Sequence, residues 1–258
     1  MKILAAGPWI GEFGHELFSW QCYLRTLSKN YDKVIISSRS GHEILYHDFC
    51  NQYIPFDSNL NNCSCVRNYK TKYDSSVFSN ISYTDIIKPT SKWSISPTYI
   101  SYGNYNSTKK YDIVIHARNI KMDNAPNQTD IKYKESRNWS YENWIIIIDY
   151  LKKRNLKCCV VGRKESAFSF DGIDNLLNLS LSELADILKN SRLIIGPSSG
   201  PMHFASLCNC QQIVWTSSVN VNKYKKNWNP FKTPVTIIID ENWNPKPKKI
   251  IDSINEKF

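Results

Sequence analysis

The strongest constraint on the fold is a repeated alternation of short apolar segments with longer amphipathic segments. Residues 34–37 and 112–116 are rich in Ile and Val and have the length of buried strands. Residues 2–6 are predicted to form the first strand, and apolar residues at helical spacing follow it from residue 15 to about residue 29. Because a strand, a helix and a second strand in succession form a parallel pair with a right-handed crossover, the pattern predicts an α/β fold.

The alternation breaks down between residues 59 and 108, where Asn, Ser, Tyr and Lys dominate. We therefore predict two domains, residues 1–108 and residues 109–258, each with its own Rossmann-like parallel sheet. The two sheets are expected to face a cleft, with a C-terminal helix at residues 248–256 packing back across the junction. Within the first domain, residues 41–53 are predicted to form a second helix.

Composition narrows the class of protein. Apolar residues make up 41% of the 258 residues, which argues for a globular chain. No apolar run is long enough to span a bilayer and no signal peptide is recognisable, so we expect a cytoplasmic location. The eight cysteines lack the spacing of a zinc site, so we expect reduced and mostly buried thiols.

The formal net charge of +10 indicates anionic partners. Nucleotides and phosphorylated acceptors fit that charge, and peripheral contact with an anionic membrane is left open. A nucleic-acid partner is disfavoured, because the densest lysine cluster, at residues 223–226, lies in no recognisable nucleic-acid-binding motif. Most of these lysines are interpreted as solvated surface residues.

Residues 191–206 have the pattern of an anion-binding turn. A short strand leads into Gly-Pro-Ser-Ser-Gly-Pro, and a helix is predicted from about residue 202. Unpaired N–H groups and a partial positive charge at a helix N-terminus suit a diphosphate. An ordinary capped helix would show the same pattern, and a purely structural His203 is equally compatible with it. The residues predicted to line this turn are Ser198, Ser199, Gly200, Pro201, Met202 and His203.

Charged residues follow other predicted strands. Arg118 follows the strand at residues 112–116, and Arg163 and Glu165 follow Gly162 at the end of the strand at residues 157–161. The carboxyl ends of parallel strands meet at one edge of the sheet, where such folds bind ligands. We therefore predict that these residues lie close to the anion-binding turn.

Four segments of the second half resemble, in order, the lipopolysaccharide heptosyltransferases, which are GT-B glycosyltransferases. The resemblance covers roughly residues 112–215, and its specificity lies in the order and spacing of the segments. It implies a GT-B fold, a nucleotide-diphosphate sugar as donor, and a glycan or glycolipid as acceptor. The segments are His116-Ala-Arg118, Arg137-Asn-Trp139-Ser140, Val160-Val161-Gly162 followed by Glu165, and residues 179–185 followed by residues 196–203.

The resemblance also implies roles for single residues. Arg137 would bind the donor diphosphate, Glu165 the ribose hydroxyls, and Ser199 with Gly200 the phosphates or the sugar. The chemistry fits, because guanidinium groups bind phosphate through paired N–H groups and carboxylates accept hydrogen bonds from diols. Ser198 stands where the family usually has Asp, so we do not infer from the resemblance that the donor sugar is heptose.

The loop after the first predicted strand offers a catalytic base. Gly11-Glu12 falls where the heptosyltransferases have Gly-Asp, and by that resemblance Glu12 takes the proton of the acceptor hydroxyl in an inverting transfer. His15 and Glu16 are the alternative bases, and simple helix N-terminal charges would also explain both glutamates. No metal or bound cofactor is expected, since no Asp-x-Asp motif is present. Arg137, Arg118 and the helix N-terminus would neutralise the leaving diphosphate instead.

Other interpretations stay open. The His116-x-Arg118 pair also resembles the fucosyltransferases, whose donor is GDP-fucose, and Arg118 stands where the heptosyltransferases tend to have a small hydroxyl residue. The polysaccharide pyruvyl transferases share a related architecture. A non-catalytic module that binds a nucleotide sugar or a nucleic acid is the remaining interpretation.

Overall fold

A computed structural model describes residues 1–56, 75–89, 97–106, 108–121 and 137–258. The chain divides into two compact units, Met1–Ile100 and Ser101–Phe258. Each unit has its own sheet, with four strands in the first and six in the second, and all neighbouring strands are parallel. The two separate parallel sheets confirm the predicted α/β class.

The first sheet has the strand order β3-β2-β1-β4. A continuous helix, α1, follows β1 and consists of Phe13–His15, a π-helical turn Glu16–Trp20, and Gln21–Ser28. The strands are β1 (Ile3–Ala6), β2 (Lys33–Ser38), β3 (Gln52–Pro55) and β4 (Asp85–Ile87).

The predicted helix at residues 41–53 is wrong. The structure has a short 3-10 turn at Glu43–Leu45, and β3 begins at the end of this segment. Asn51 pairs with Val34, its N–H donating to the Val34 carbonyl at 2.9 Å and its side chain accepting from the Val34 N–H at 2.7 Å. Pairing with β2 therefore overrides the local helical spacing.

The second sheet has the order β10-β9-β8-β5-β6-β7, which is the Rossmann order with β5 as its first strand. Two elements of this unit, β7 and α5, were not predicted from the sequence. The strands are β5 (Tyr111–Ile115), β6 (Cys158–Gly162), β7 (Asp174–Leu177), β8 (Ser191–Pro197), β9 (Gln211–Thr216) and β10 (Val235–Ile239). The helices are α2 (Tyr141–Lys153), α3 (Leu181–Lys189), α4 (Gly200–Leu207), α5 (Val221–Lys226) and α6 (Pro247–Asn255).

Local sequence signals explain where the helices of this unit begin. Ser140 caps α2, its hydroxyl accepting from the Asn143 N–H. Ser180 and Glu183 form a complete capping box at the start of α3. Most residues between β5 and α2 lie outside the described ranges.

The core of the second unit is aromatic beneath α2 and β9. The indole rings of Trp139, Trp144 and Trp215 pack at centroid distances of 4.9 to 5.4 Å. The C-terminal helix α6 packs on α2 and β9 and buries Ile250 and Ile254 in this core. Its apolar face therefore belongs to the core of its own unit, and packing across the junction stays a prediction.

The described cysteines are free thiols, and all of them except the half-buried Cys50 are buried, as predicted. Burial raises the pKa of the Cys22 and Cys158 thiols to about 11. Cys63 and Cys65 lie outside the described residues. Within the described ranges, no helix is long and apolar enough to cross a membrane.

Candidate functional site

The loop between β1 and α1 is held against both neighbouring strands. The Gly7 N–H donates to the Ile87 carbonyl and the Trp9 N–H to the Ser37 carbonyl, both at 3.1 Å. Gly7 has a φ of +116°, and a Cβ there would lie 2.1 Å from the Ser37 carbonyl oxygen. Only glycine fits this close approach, so the loop path depends on it.

Glu12 and His15 lie together at the start of α1. Glu12 is the N-cap residue, with extended backbone and no side-chain cap bond. Its carboxylate lies 3.9 Å from His15 Nε2, and the two side chains are 37% and 34% exposed. Both groups can therefore meet a substrate at the carboxyl end of β1, where ligands of parallel sheets bind.

Glu16, one turn later, has a different environment. Its side chain is fully buried and its carboxylate accepts hydrogen bonds from Tyr46 Oη at 2.7 Å and from the Ser38 hydroxyl. His42 Nδ1 and Arg39 Nη1 lie 2.8 Å and 3.3 Å from the same carboxylate. Burial alone would raise the pKa of Glu16, but the His42 and Arg39 charges and these hydrogen bonds hold that pKa below its ordinary value.

Arg39 connects the Glu16 network to the loop that precedes Glu12. Its Nη2 donates to the Ile10 carbonyl at 3.0 Å and to the Gly11 carbonyl. Arg39 is 8% exposed, so these bonds are sheltered from water. The network thus fixes the backbone on the N-terminal side of Glu12.

In the second unit, His116 and Arg118 lie just beyond β5, beside the switch point of the sheet between β5 and β8. Burial lowers the pKa of His116 to about 4, with a smaller lowering from the Arg118 charge, and the His116 Nδ1 lies 3.2 Å from the Val161 carbonyl. Arg118 is buried, and its backbone forms an antiparallel bridge with Ala167. A Cβ on Gly196 would lie 3.1 Å from the His116 Cβ, so β8 passes close to this end of β5.

The turn between β8 and α4 carries hydroxyl groups and a histidine. The helix begins at Gly200, two residues earlier than predicted, with Ser199 as its N-cap and Pro201 in the first turn. Ser199 Oγ donates to the Pro197 carbonyl at 2.9 Å, and Ser198 Oγ lies 3.2 Å from His203 Nε2. The side chain of Met202 is buried.

Arg137 lies on the segment that leads into the aromatic core of the second unit. Trp139, two residues later, is buried and donates from Nε1 to the Pro245 carbonyl at 3.0 Å. The Arg137 guanidinium carbon lies 5.5 Å from the centroid of the Trp243 ring. Burial, followed by the Arg137 and Lys223 charges, lowers the pKa of His203 to about 3. The contacts of Lys223 and His203 with the same Trp228 ring place Lys223 beside His203.

Three residues of this site come from the segment around α5, and the sequence analysis missed them. The Tyr224 hydroxyl donates to Ser198 Oγ at 3.0 Å, and the Trp228 ring packs on His203 at a centroid distance of 4.3 Å. Lys223 Nζ donates to Asn220 Oδ1 at 3.1 Å and lies 5.3 Å from the Trp228 ring centroid. Lys223, Lys225 and Lys226 are exposed, as interpreted, and Lys223 also lies against the Trp228 ring of this site. The alternation of Lys, Tyr and Trp in one short segment was the available signal.

Arg163 and Glu165 lie on the loop after β6 and are exposed. Gly162 ends that strand with a φ of +150°, and a Cβ there would lie 2.7 Å from the Ala167 Cβ. Within the part of the chain that the structure describes, no hydrogen bond or ion pair joins Arg163 or Glu165 to residues 198–203. Their role stays a prediction from the sequence.

No group of three or more His, Cys, Asp or Glu side chains among the described residues is arranged to hold a metal ion. The candidate site of the second unit is instead a set of cations, hydroxyl groups and aromatic rings around a helix N-terminus.

No family model and no curated protein sequence matches this chain. Its fold matches solved glycosyltransferase structures. E. coli ADP-heptose lipopolysaccharide heptosyltransferase II aligns with a TM-score of 0.62 at 14% identity, over 99% of this chain and 98% of that chain. E. coli heptosyltransferase WaaC with ADP-2-deoxy-2-fluoro heptose gives 0.58 at 11% identity over both full chains. A family 9 glycosyltransferase from Veillonella parvula gives 0.54 at 13% identity, over 100% of this chain and 92% of that chain. The chain therefore has the fold of the heptosyltransferases, as the sequence resemblance implied.

Proposed function

We propose that this protein is an inverting, metal-independent glycosyltransferase that moves a sugar from a nucleotide-diphosphate donor to a glycan or glycolipid acceptor. The observation that supports the proposal best is the cationic carboxyl edge of the second sheet. There Arg137 and Lys223 lie near His203, beside the N-terminus of α4. A diphosphate is the ligand that such an edge would neutralise. In this proposal residues 1–108 bind the acceptor and residues 109–258 the donor.

The donor nucleotide is proposed to bind with its diphosphate at the N-terminus of α4. Arg137 offers paired N–H groups, Lys223 a point charge, and the Ser199–Gly200 backbone further donors. One similar structure is an ADP-heptose heptosyltransferase and another holds ADP-2-deoxy-2-fluoro heptose, so ADP is the first nucleotide to test. Exposed Glu165, on the loop after β6, is proposed to accept from the ribose hydroxyls.

Glu12 is the proposed general base. An inverting transfer needs a carboxylate that takes the acceptor proton, and Glu12 is exposed enough to do so. Glu16 is the weaker candidate, because its oxygens already accept from buried donors. We propose that Glu16 positions the loop instead, through Arg39, and that His15 assists Glu12 from 3.9 Å.

Nucleotide binding to an arginine variant tests the donor site. One of ADP, UDP or GDP should raise the thermal stability, whereas a short RNA should not. A nucleotide present at one hundred times its dissociation constant should raise the free energy of unfolding by roughly 2.7 kcal/mol. Arg137→Ala should weaken that binding by about 1.5–3 kcal/mol through loss of a charge-assisted contact. Arg192→Ala is the matched control, because Arg192 is an exposed arginine at the amino end of β8 that contacts Asp112. Equal nucleotide affinity in Arg137→Ala and the parent would refute the assignment, and stabilisation by RNA alone would favour a nucleic-acid-binding module.

The remaining parts of the proposal have their own tests. Activity should survive excess EDTA, and its loss on chelation would indicate a metal-dependent site. A cytoplasmic location with peripheral membrane contact is also proposed, on the strength of the +10 net charge. Co-sedimentation with anionic but not with neutral vesicles, weakened by salt, is the expected result.

A further inference from the structure

His116 is tied to both neighbouring strands of the second sheet. Its backbone N–H donates to the Ile195 carbonyl of β8 at 2.9 Å, and its carbonyl accepts from the Arg118 N–H at the same distance. Its Nδ1 lies 3.2 Å from the Val161 carbonyl of β6. A Cβ on Gly162 would lie 3.6 Å from Nδ1 and 3.8 Å from Cε1, so the ring packs against the end of β6. The imidazole is therefore held in one orientation before a ligand binds.

The contact with Val161 assigns the proton of the ring. A carbonyl oxygen can only accept, so Nδ1 carries the proton in this bond. Burial lowers the pKa of His116 to about 4, so near pH 7 the ring is neutral and has a single N–H proton. Nε2 is then unprotonated and can only accept a hydrogen bond. Among the described residues Nε2 has no hydrogen-bonding partner, and the residue is 6% exposed, so it is not fully enclosed.

This free acceptor lies between two proposed contacts of the donor nucleotide. On one side is the loop after β6, where Glu165 precedes Ser166, and the Ser166 carbonyl accepts from the Asn119 N–H at 2.8 Å, three residues after His116. On the other side β8 pairs with β5 and continues into the turn at residues 198–203. The loop is proposed to bind the ribose and the turn the diphosphate. In a nucleotide these two groups are joined directly, so His116 lies where the ribose meets the phosphates.

We propose that His116 is a donor-binding residue whose Nε2 accepts a hydrogen bond from one ribose hydroxyl of the donor nucleotide. The inference rests on the function proposed above, because it takes the diphosphate to lie at residues 198–203 and the ribose to lie at Glu165. A vicinal diol has two protons, and each is donated once. Glu165 then accepts from one hydroxyl, and His116 accepts from the other.

The neutral ring favours a hydroxyl over a phosphate oxygen at this position. An ionised phosphate oxygen has no proton to donate, so it would meet the lone pair of Nε2 without a hydrogen bond. Burial and the smaller effect of the Arg118 charge both disfavour a protonated His116, which would attract phosphate instead. His116 therefore recognises the uncharged part of the nucleotide and leaves the diphosphate to the cations.

Affinity for deoxyribonucleotides tests this role. The nucleoside diphosphate that the parent binds best is compared with its 2′-deoxy and 3′-deoxy forms, on the parent and on His116→Asn. The asparagine amide can still donate to the Val161 carbonyl but provides no acceptor in place of Nε2. One of the two deoxy forms should bind the parent about 2- to 10-fold more weakly than the ribonucleotide, as expected for one neutral hydrogen bond. That difference should disappear in His116→Asn.

His47→Asn is the matched control. His47 Nδ1 also contacts a backbone carbonyl, that of Ile44 at 2.6 Å, but His47 is exposed and belongs to the first unit. This variant should discriminate between the ribonucleotide and its deoxy forms as the parent does. A loss of discrimination in His47→Asn as large as that in His116→Asn would overturn the assignment to His116.

15N NMR of the imidazole nitrogens decides the question if His116→Asn does not fold. With His116 assigned sequentially in the parent, Nδ1 should be protonated and Nε2 unprotonated near pH 7 without ligand. Saturating ribonucleotide should shift the Nε2 resonance more than the deoxy form that lacks the donated hydroxyl. A protonated Nε2 in the ligand-free parent would overturn the proposal, and so would an Nε2 resonance that responds equally to all three nucleotides.

Failure of this inference and failure of the proposed function give different results. A parent that binds no nucleoside diphosphate refutes the proposed function and this inference with it. If the parent binds the nucleotide but does not distinguish either deoxy form, or if His116→Asn keeps the full difference, the role of His116 alone is overturned.

Discussion

Replacing Glu16 by glutamine should destabilise the protein far more than the same replacement at Glu12. The Glu16 carboxylate is fully buried among four side chains, the Arg39 guanidinium among them. An amide there has a single acceptor oxygen, directs N–H groups at donors, and leaves the Arg39 charge without its anion. Removing one partner of a buried ion pair costs about 3–5 kcal/mol, and we expect a loss of that size. Glu12 is 37% exposed and caps no N–H group with its side chain, so Glu12→Gln should change stability little.

Urea unfolding of the parent and the two variants measures this difference, and donor binding and turnover on the same samples separate folding from catalysis. Glu12→Gln should lower turnover by roughly 10²–10⁴-fold with unchanged donor affinity, as expected for loss of a general base. The reasoning is refuted if Glu16→Gln is as stable as the parent. If Glu12→Gln keeps parental turnover while His15→Ala or a folded Glu16→Gln loses it, the base is the other residue. If all three variants stay active, the loop is structural.

The pH dependence of stability gives an independent check on Glu16. Its pKa in the folded protein lies below the ordinary value of 4.5, so the folded state favours the ionised form. The stabilisation is therefore complete above about pH 4.5 and is lost as the pH falls through the folded pKa. Glu16→Gln should reduce the loss of stability at acid pH. An unchanged loss would assign the acid sensitivity to other groups.

Two further predictions concern glycine and histidine. Gly7→Ala should destabilise the protein much more than Gly41→Ala, because a Cβ at Gly7 meets the Ser37 carbonyl at 2.1 Å whereas one at Gly41, also at positive φ, has nothing within 4 Å. Thermal unfolding checks this, and equal losses would mean that backbone strain alone decides. The pKa of His116 falls from 6.5 to about 4 on folding, so the folded state disfavours the protonated imidazole. The free energy of unfolding should therefore be unaffected by His116 above about pH 6.5 and should decline by about 3 kcal/mol as the pH falls toward 4. His116→Gln should remove that decline in urea titrations, and an undiminished decline would refute the assignment.

Much of the fold was predictable because its local signals agree with its tertiary packing. Ser140 caps the start of α2, and Ser180 with Glu183 forms the capping box of α3, so the sequence carries a local signal at both helix starts. Most strands of the second sheet contain short apolar runs, whereas β7 begins with Asp174 and Asn175 and gave no such signal. The helix predicted at residues 41–53 failed, since its apolar residues face the core from turns and from β3.

The site was only partly predictable for a related reason. The turn at residues 198–203 was identified because its spacing is local, and the fold places Arg118 after the neighbouring strand β5. Tyr224 and Trp228 come from an element with no motif of its own, and their contacts with Ser198 and His203 exist only in the folded chain. Sequence spacing alone cannot report contacts of that kind.

The serine at position 198 shows why such contacts matter for function. From the sequence, Ser198 in place of a carboxylate indicates only a lost negative charge. In the structure the Ser198 hydroxyl accepts a hydrogen bond from Tyr224 and lies 3.2 Å from His203 Nε2. A neutral hydroxyl therefore stands where the family usually has a carboxylate. A carboxylate there would pair with nearby Arg137 or favour a charged His203. With serine, the side chain at position 198 brings no negative charge to offset Arg137 and Lys223, in keeping with the diphosphate site proposed above.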